Sequence, residues 1–280
     1  MQIQRLSPNF GAEVHAIDLN QISDEQFAQI EKAFLDHQLL VFKKQALSPA
    51  AQIDFSRRFG ELDVHVLTQY NHPQHEEIFV LSNVVENGKP IGISDGGSYW
   101  HSDFAFQERP ASATILNAQQ IPEQGGQTLF IDMYQAYEDL SQEYKQRLQG
   151  LQAIHRYRSR RSNQEAGTQV KLNQDQEKAT PDMVHPVVRT HVQTGRKALF
   201  VHPGMAAEIV GLSEQESNEI LSFLFDHSTQ EKYQYAFSWT PGDVVMWDNR
   251  CTMHKATTRD LPAHMHRTIF RTTVRGERPV

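Results

Sequence analysis

Six stretches of the chain are rich in β-branched and aromatic residues and are bounded by Gly, Pro, Asn or Asp, a pattern typical of β-strands. Helical periodicity is less frequent, and the strand-like stretches do not alternate regularly with helices, so a doubly wound parallel sheet is not expected. The pattern favours an antiparallel β-sandwich or barrel with helices packed outside and long connections that carry function. The predicted strands span residues 39–44, 77–85, 112–121, 197–202, 243–249 and 267–274.

Four segments show helical periodicity, and three of them begin with a recognisable N-cap. A serine followed three residues later by Glu or Gln forms a capping box, and a Ser-Pro pair places proline at the first helical position. The fourth helix is predicted over residues 132–150, ending at Gly150. The three capped helices begin at Ser23 with Gln26, at Ser48 with Pro49 and at Ser213 with Glu216.

Composition narrows the class of protein. Hydrophobic residues make up 39% of the chain and include 15 Phe, which is ample for a sizeable core. The net charge of −7 argues against a nucleic-acid partner, which requires a basic surface. Cys251 is the single cysteine and cannot form an internal disulfide, which fits a reducing compartment. With no signal-peptide pattern and no run of roughly 20 apolar residues, we expect a soluble cytoplasmic protein with no membrane partner.

The chain shows no internal repeat and no low-complexity linker, so a single domain over residues 1–280 is expected. The least regular segments lie around residues 61–100 and 156–182, and we expect them to form loops over an active site. The glycine pairs at 96–97 and 125–126 lack the strand–loop–helix context of a phosphate-binding loop.

The first candidate for chemistry is "SYWHSDFAF" (98–106), where His101 and Asp103 stand two residues apart in a strand-like run. With 14 His and 15 Asp in 280 residues, random placement gives about 0.75 such pairs, so the motif alone carries little weight. In an extended strand, residues i and i+2 project from the same face and can reach one ion together. A mononuclear non-haem iron site needs two imidazoles and one carboxylate, with other positions open. One more histidine is then required.

The strongest candidate for that histidine is His254 in "VVMWDNRCTMHKAT" (244–257). It follows a very apolar strand and therefore lies at the mouth of a buried element. The alternative is an ordinary histidine at the surface or at the edge of the core, and the position of His254 alone favours that alternative.

A pair of arginines adds weight to the metal-site hypothesis. In "HRTIFRTTVRG" (266–276), Arg267 and Arg271 lie on one face of a predicted strand, about 13 Å apart along it. If that face points into a barrel, two buried cations are costly unless they meet anions, and the guanidinium fork suits a carboxylate or sulfonate. The alternative is an edge strand with both charges in water.

Taken together, these motifs resemble those of a known protein family. The motifs "WHSD" near residue 100 and "WDNRCTMH" near residue 250, followed by an Arg-x-x-x-Arg pair, are similar to those of the TauD/TfdA family of Fe(II)/2-oxoglutarate dioxygenases. The resemblance covers nearly the whole chain. It includes "LLVFKKQALSPAAQIDFSRRFGEL", "IPEQGGQTLFIDMYQAYEDL" and "VHPVVRTHVQTGRKALFVHPGM".

The resemblance implies a mainly β fold with flanking helices, a double-stranded β-helix (jelly roll). It also implies an oxidoreductase that uses Fe(II), 2-oxoglutarate and O2, and a homodimer or homotetramer. The implied iron ligands are His101, Asp103 and His254, and Thr128 and Arg267 would bind the far carboxylate of 2-oxoglutarate. Arg271 would lie nearer the metal, where it serves both cosubstrate and substrate.

The same resemblance implies a small anionic organic substrate, such as a sulfonate, sulfate ester, aryloxyalkanoate or other carboxylate. It would be oxidised at a C–H bond, most simply by hydroxylation, with release of succinate and CO2. His65 and Arg271 would hold the anion, with Ser98, Phe104 and Met205 as further pocket residues, although apolar residues here are more often core. The segment 94–99 ("SDGGSY") offers no asparagine where taurine-specific relatives hold the substrate amine, so taurine itself is not favoured.

Several alternatives stay open at the level of sequence. The same cofactor chemistry also serves desaturation or rearrangement, for example of an amino-acid-derived substrate. A zinc hydrolase with the same three ligands, or a non-catalytic jelly-roll binding protein, is a more distant possibility. The basic run 155–161 ("HRYRSRR") is either part of an active-site loop or a solvated basic surface.

Overall fold

Most of the regular structure in the chain is β-strand, with helices outside the sheets, in a computed structural model that describes residues 1–8, 10–157 and 172–280. The helices in these ranges are α1 (Asp24–His37), α2 (Pro49–Arg57), α3 (Met133–Glu138), α4 (Gln142–Arg147), α5 (Gln174–Lys178) and α6 (Glu214–Ser228). The strands are β1 (Gln2–Arg5), β2 (Ala12–His15), β3 (Leu39–Phe42), β4 (Asn71–His72), β5 (His75–Ser82), β6 (Val85–Glu86), β7 (Lys89–Pro90), β8 (Ala111–Gln120), β9 (Thr128–Asp132), β10 (Gln152–His155), β11 (Met183–Pro186), β12 (Val188–Thr190), β13 (Lys197–Leu199), β14 (Ala206–Ile209), β15 (Gln234–Phe237), β16 (Val244–Asp248), β17 (Thr252–Ala256) and β18 (Thr268–Arg275). All six predicted strands are present.

A large sheet of eight strands forms one side of the molecule, in the order β1-β2-β3-β16-β8-β18-β5-β4. Both faces of its centre are covered, because every residue of β3 and β16 is buried. The pairs are antiparallel except β2 with β3. Strand β18 lies between β8 and β5, so the alternative of an edge strand with its arginines in water is wrong.

A small sheet in the order β15-β9-β17 faces the large one. Phe130 of β9 packs against Trp247 of β16, with ring centroids 5.3 Å apart, and both belong to one buried apolar cluster. Strand β17 carries His254, and a single bridge adds His101 to its free edge. The core between the two sheets therefore fixes where these histidines lie.

The helix boundaries follow the capping pattern with one exception. The predicted capping boxes at Ser23 and Ser213 and the cap at Ser48 are confirmed. The single helix predicted over 132–150 is wrong, because two short helices, α3 and α4, occupy that segment. The break has a local cause: the Ser141 hydroxyl accepts a hydrogen bond from the Tyr144 amide and starts a new helix.

The two segments that were predicted to form loops, residues 61–100 and 156–182, are not irregular throughout. Residues 61–100 include strand β5 of the large sheet and the short β6–β7 hairpin as well as irregular chain. Of residues 156–182, those from 158 to 171 lie outside the described residues, and α5 follows them. In the ranges that are described, none of the helices combines the length and apolar character needed to cross a membrane.

Three buried histidines surround Phe200 where β10 and β11 pair. The rings of His155 and His185 have centroids 5.1 Å apart, and those of His155 and His202 are 5.3 Å apart. Within the described part of the chain, neither ring nitrogen of His155 or His202 has a hydrogen-bonding partner. Burial lowers the pKa of His185 to about 4 and that of His202 to about 3, and it lowers the pKa of His155 well below its usual range. All three rings are therefore neutral at pH 7.

We predict that the metal-free protein loses stability as the pH falls from about 6.5 towards 4, since an unfolded histidine has a pKa of about 6.5. In that window the unfolded chain binds protons that the folded chain excludes, and each such histidine contributes up to about 1.4 kcal/mol per pH unit. Urea unfolding measured across the window gives the slope. His202→Gln should make the slope shallower, and the control is His264→Gln, the same substitution at an exposed site. Equal slopes in the wild type, His202→Gln and His264→Gln would contradict the conclusion that burial keeps His202 neutral in the folded protein.

Candidate active site

Three side chains proposed as metal ligands converge between the two sheets. The His101 amide donates to the His254 carbonyl at 3.1 Å, and the His254 amide donates to the His101 carbonyl at 2.8 Å. Ligand atoms of His101, Asp103 and His254 all lie within 4.8 Å of one another, and all three residues are buried. Among the described residues this is the single group of three or more such side chains close enough to hold a metal ion.

The local geometry differs from the predicted strand in one respect. Only His101 makes a β-bridge, and the chain turns directly after Ser102. Phe104 has φ of 56°, a left-handed conformation that is unusual for a bulky residue and costs conformational energy. The His101 and Asp103 side chains therefore come together because a bridge is followed by a tight turn, and not because residues alternate along an extended strand.

The two histidines are in the state that metal binding requires. His101 Nδ1 lies 2.8 Å from the Tyr99 carbonyl and donates to it, so the lone pair of Nε2 is left to bind a metal ion. Burial lowers the pKa of both His101 and His254, and each imidazole is neutral at pH 7. Neutral imidazoles are good ligands for iron.

Asp103 supplies the negative charge. Its burial alone would raise the pKa of the carboxyl, but the Arg271 guanidinium and the two imidazoles outweigh burial and hold this pKa well below its usual range. Arg271 Nη1 donates to Asp103 Oδ1 at 3.0 Å, and the Thr114 hydroxyl donates to Oδ2 at 2.6 Å. Two neutral nitrogens and one carboxylate match the donor set of a non-haem Fe(II) site, so these residues fit that metal.

Gly97 allows the chain to pass directly against the His101 ring. Its φ is 105°, and a Cβ built there would lie 2.5 Å from Cε1 of the His101 ring. The Gly97 carbonyl also accepts a hydrogen bond from the Ala256 amide at 2.8 Å, two residues beyond His254. A side chain at this position would displace His101.

Arg267 is a buried cation without a carboxylate partner in the described part of the chain. It is 5% exposed, its Nε donates to the Gly126 carbonyl at 3.2 Å, and burial lowers its pKa to about 10. The guanidinium lines a cavity with Ser82, Asn83 and Leu261. An unpaired buried charge is costly, so this cavity is suited to an anion.

Thr128 begins β9, two residues beyond Gly126. It is buried, and its hydroxyl oxygen accepts a hydrogen bond from Trp239 Nε1 at 3.0 Å. The hydroxyl hydrogen is therefore left to donate to another acceptor.

The residues proposed to hold a substrate anion form one group. The His65 ring lies 4.0 Å from the Phe79 ring and 5.6 Å from the Phe104 ring, measured between centroids. The Arg271 guanidinium lies 4.8 Å from the Phe79 centroid and 5.8 Å from that of Phe104. Phe79 was not anticipated from the sequence, although it lies in a predicted strand and alternation alone could place it on this face.

The other proposed pocket residues divide into two sets. Phe104 and Met205 share a buried apolar cluster with Phe106, whose ring lies 4.6 Å from the Tyr157 ring between centroids, at an inclined angle of 59°. Ser98 is buried and its hydroxyl donates to Asp95, and none of the described contacts joins Ser98 to the group around Arg271.

The basic run 155–161 is described only as far as residue 157. Arg156 makes a bidentate ion pair with Asp182, with Nη2 to Oδ2 at 2.6 Å, and both side chains are exposed. For Arg156 the interpretation as a solvated surface charge therefore holds. The remaining arginines of the run lie outside the described residues.

Comparison with known proteins agrees with this geometry. The model of the "Taurine catabolism dioxygenase TauD, TfdA family" matches residues 2–273. The chain is 35% identical to an α-ketoglutarate-dependent 2,4-dichlorophenoxyacetate dioxygenase of Burkholderia sp. (strain RASC), over 98% of this chain and 94% of that protein. It is 33% identical to pentalenolactone F synthase of Streptomyces arenae, over 87% and 85% of the two chains.

A solved structure shows the same relationship. The crystal structure of a putative α-ketoglutarate-dependent taurine dioxygenase from Burkholderia xenovorans superposes with a TM-score of 0.83 at 32% identity, covering 100% of this chain and 91% of that one. The chain belongs to the TauD, TfdA family of dioxygenases. It is accordingly a 2-oxoglutarate-dependent oxidoreductase with Fe(II), 2-oxoglutarate and O2 as cofactors, which excludes the hydrolase and binding-protein alternatives.

We predict that Gly97→Ala weakens metal binding, because its Cβ displaces the His101 ring. Gly211→Ala is the matched control, since Gly211 also has a positive φ of 81° but nothing lies within 4 Å of its added Cβ. Both variants should lose about 1–2 kcal/mol of stability from backbone strain. Only Gly97→Ala should bind Mn(II) more weakly, by about tenfold or more, in a calorimetric titration. Equal Mn(II) affinities in the two variants would refute this role of Gly97.

Proposed function

We propose that this enzyme oxidises, by hydroxylation, a C–H bond of a small organic anion that has an apolar body, with release of succinate and CO2. In this proposal His101, Asp103 and His254 hold the iron, and Thr128 and Arg267 hold the far carboxylate of 2-oxoglutarate. The observation that carries it is the second buried guanidinium, Arg267, which has no carboxylate partner in the described residues. We also infer that residues 1–280 form one domain, in which the two facing sheets are the halves of a double-stranded β-helix.

The cofactors supply the oxidation itself: with iron and 2-oxoglutarate bound, O2 is used to oxidise the substrate while 2-oxoglutarate loses CO2. The protein's own task is to position the partners and to exclude water. Asp103 and the two imidazoles carry a net charge of −1 and thus suit a divalent cation. Arg267 stays protonated at pH 7, since its pKa of about 10 remains well above 7. It therefore offers a full positive charge to a dicarboxylate.

The substrate anion is proposed to lie between His65 and Arg271. Arg271 uses Nη1 on Asp103, while its buried Nε has no hydrogen-bonding partner in the described part of the chain. Guanidinium groups suit carboxylates and sulfonates, which present paired oxygens. An anion held here lies beside Asp103 and therefore close to the proposed iron.

The wall around this anion site favours an apolar substrate body. Phe79 and Phe104 are buried beside the Arg271 guanidinium, and Phe104 belongs to a buried apolar cluster that includes Phe106 and Met205. Asp95, the acidic residue of the segment 94–99, is hydrogen-bonded to Ser98 and lies 3.6 Å from Arg259. The Asp95 carboxylate is therefore already engaged and is not positioned to bind a substrate ammonium group. The structure therefore favours aryloxyalkanoates and similar apolar carboxylates or sulfonates over a small aminosulfonate such as taurine.

We predict substrate-dependent succinate release with anions that carry an aromatic or branched apolar body. The panel compares aryloxyalkanoates, aryl and alkyl sulfonates and alkyl sulfates with taurine, in the presence of iron, ascorbate and 2-oxoglutarate. Succinate formation above the uncoupled background is the measurement, and mass analysis of the product distinguishes hydroxylation from desaturation. If taurine alone raised turnover, or if no panel member did, the proposed substrate class would be wrong.

We further predict that Arg267→Met weakens 2-oxoglutarate binding by about 10- to 100-fold, the range expected for losing hydrogen bonds to a charged group. The binding is measured by calorimetry with Mn(II) in place of iron, so that no turnover occurs. Arg196→Met is the control, since Arg196 pairs with Glu138 at the surface. Arg267→Lys should recover only part of the affinity, because lysine lacks the bidentate fork. Unchanged binding in Arg267→Met would remove Arg267 from the cosubstrate site.

A further inference from the structure

The turn that follows β16 carries a buried asparagine whose side chain is fully engaged. Asn249 Oδ1 accepts hydrogen bonds from the Asp103 amide at 3.1 Å and from Trp247 Nε1 at 3.0 Å. Both of these groups can only donate, so the oxygen of the Asn249 amide must face them. The amide nitrogen, Nδ2, is therefore the end that points to Thr114.

The direction of the next hydrogen bond follows from that orientation. Asn249 Nδ2 donates to Thr114 Oγ1 at 2.9 Å, so the threonine hydroxyl accepts there and its own hydrogen must go elsewhere. That hydrogen is donated to Asp103 Oδ2 at 2.6 Å. Thr114 and Asn249 are 0% and 1% exposed, so solvent does not compete for these bonds. Asn249, Thr114 and Asp103 thus form a one-way relay of hydrogen bonds.

The backbone at Asn249 is itself held in place. The Ser102 hydroxyl donates to the Asn249 carbonyl at 2.7 Å. The preceding residue, Asp248, accepts from Arg250 Nη2 at 2.7 Å and lies 3.0 Å from His191 Nε2. The turn is thereby fixed on both sides of the relay.

The relay opposes a competing pull on the ligand. Arg271 binds Asp103 Oδ1, and an ion pair alone would let the carboxylate rotate towards the guanidinium. With Thr114 on Oδ2, the carboxylate plane is held so that Oδ1 lies 3.9 Å from His101 Nε2 and Oδ2 lies 3.7 Å from His254 Nε2. Each carboxylate oxygen is thus kept near one imidazole nitrogen.

We propose that Thr114 and Asn249 are positioning residues that set the orientation of the Asp103 carboxylate for metal binding. This inference rests on the proposed function, in which Asp103 is a metal ligand. Groups that orient a ligand in this way typically contribute about 10- to 100-fold to metal affinity. A merely structural role would lower stability and leave that affinity unchanged.

The test is Mn(II) affinity, measured by calorimetry, in a pair of variants at one position. Thr114→Val keeps the side-chain shape but removes the hydroxyl, and it should weaken Mn(II) binding by about 10- to 100-fold. Thr114→Ser keeps the donor and should bind Mn(II) within about threefold of wild type, which a role limited to packing does not predict. The control is Thr272→Val, another fully buried threonine of the large sheet, whose hydroxyl contacts Ser56. It should lose stability without losing Mn(II) affinity.

A double-mutant cycle tests the direction of the relay. Asn249→Ser alone should weaken Mn(II) binding, because Thr114 is then free to turn its hydrogen away from Asp103. In the Thr114→Val background the same change should add little, since the relay is already broken. If Thr114→Val does not fold, as judged by circular dichroism, Asn249→Ser compared with Thr272→Val decides the question. Asn249→Ser binding Mn(II) like wild type would overturn the proposal.

Asp103→Ala distinguishes a failure of the proposed metal site from a failure of the proposed relay. If Asp103→Ala binds Mn(II) as tightly as wild type, the proposed metal site itself is wrong. If Asp103→Ala loses affinity while Thr114→Val keeps it, or while Thr114→Val and Thr272→Val lose it equally, only the relay is wrong.

Discussion

Two backbone hydrogen bonds between His101 and His254 are the constraint on which the rest of the site depends. They attach the segment 98–106 to the free edge of the small sheet. Beyond the bridge, Ser102 and Asp103 bond to Asn249, in the turn after β16, and to Thr114 of β8 in the large sheet. The segment is thus clamped between the sheets, and the side chains of His101, Asp103 and His254 come together only when both sheets are packed. This makes the candidate site a product of the whole fold and not of one loop.

The site also concentrates charges that the fold alone does not require. Removing a charge from water is expensive, and a buried ion pair rarely repays this cost in full. Asp103 and Arg271 pair with each other, whereas Arg267 has no carboxylate partner in the described residues. Such a cost is understandable if bound ligands complete the charge balance, and we propose a divalent cation at Asp103, a dicarboxylate at Arg267 and a substrate anion at Arg271. The electrostatics therefore agree with the family to which the chain belongs.

The elements that depend on local chemistry were predictable from the sequence. Strand composition located six strands, and the serine caps located three helix starts because a cap involves only residues three positions apart. Where two local signals competed, the prediction was incomplete. Apolar periodicity favoured one helix over 132–150, but Ser141 interrupts it by starting a second helix. Similarly, alternation suggested an extended segment at 98–106, where the left-handed Phe104 instead forms a turn.

Contacts between distant parts of the chain were harder to foresee. The resemblance to a family indicated His101, Asp103 and His254, and the structure brings their ligand atoms within 4.8 Å of one another, although their role as iron ligands remains a proposal. No sequence pattern indicated that Thr114 of β8 donates to Asp103, because that bond depends on how the turn at Asp103 folds back onto β8. Trp247 and Asn249 were noticeable in the sequence as parts of the motif "WDN", which precedes His254. Their hydrogen bonds could be identified only in the structure.

The most direct test of the central claim is the visible absorption of the protein with Fe(II) and 2-oxoglutarate under anaerobic conditions. A cosubstrate that chelates iron at this site gives a weak charge-transfer band, which neither component produces alone. We expect the band in the wild-type protein and its loss in His101→Ala and His254→Ala, with His264→Ala as the unaffected control. A wild-type protein without the band, or a band that persists unchanged in His254→Ala, would contradict the assignment of His101, Asp103 and His254 as the iron ligands.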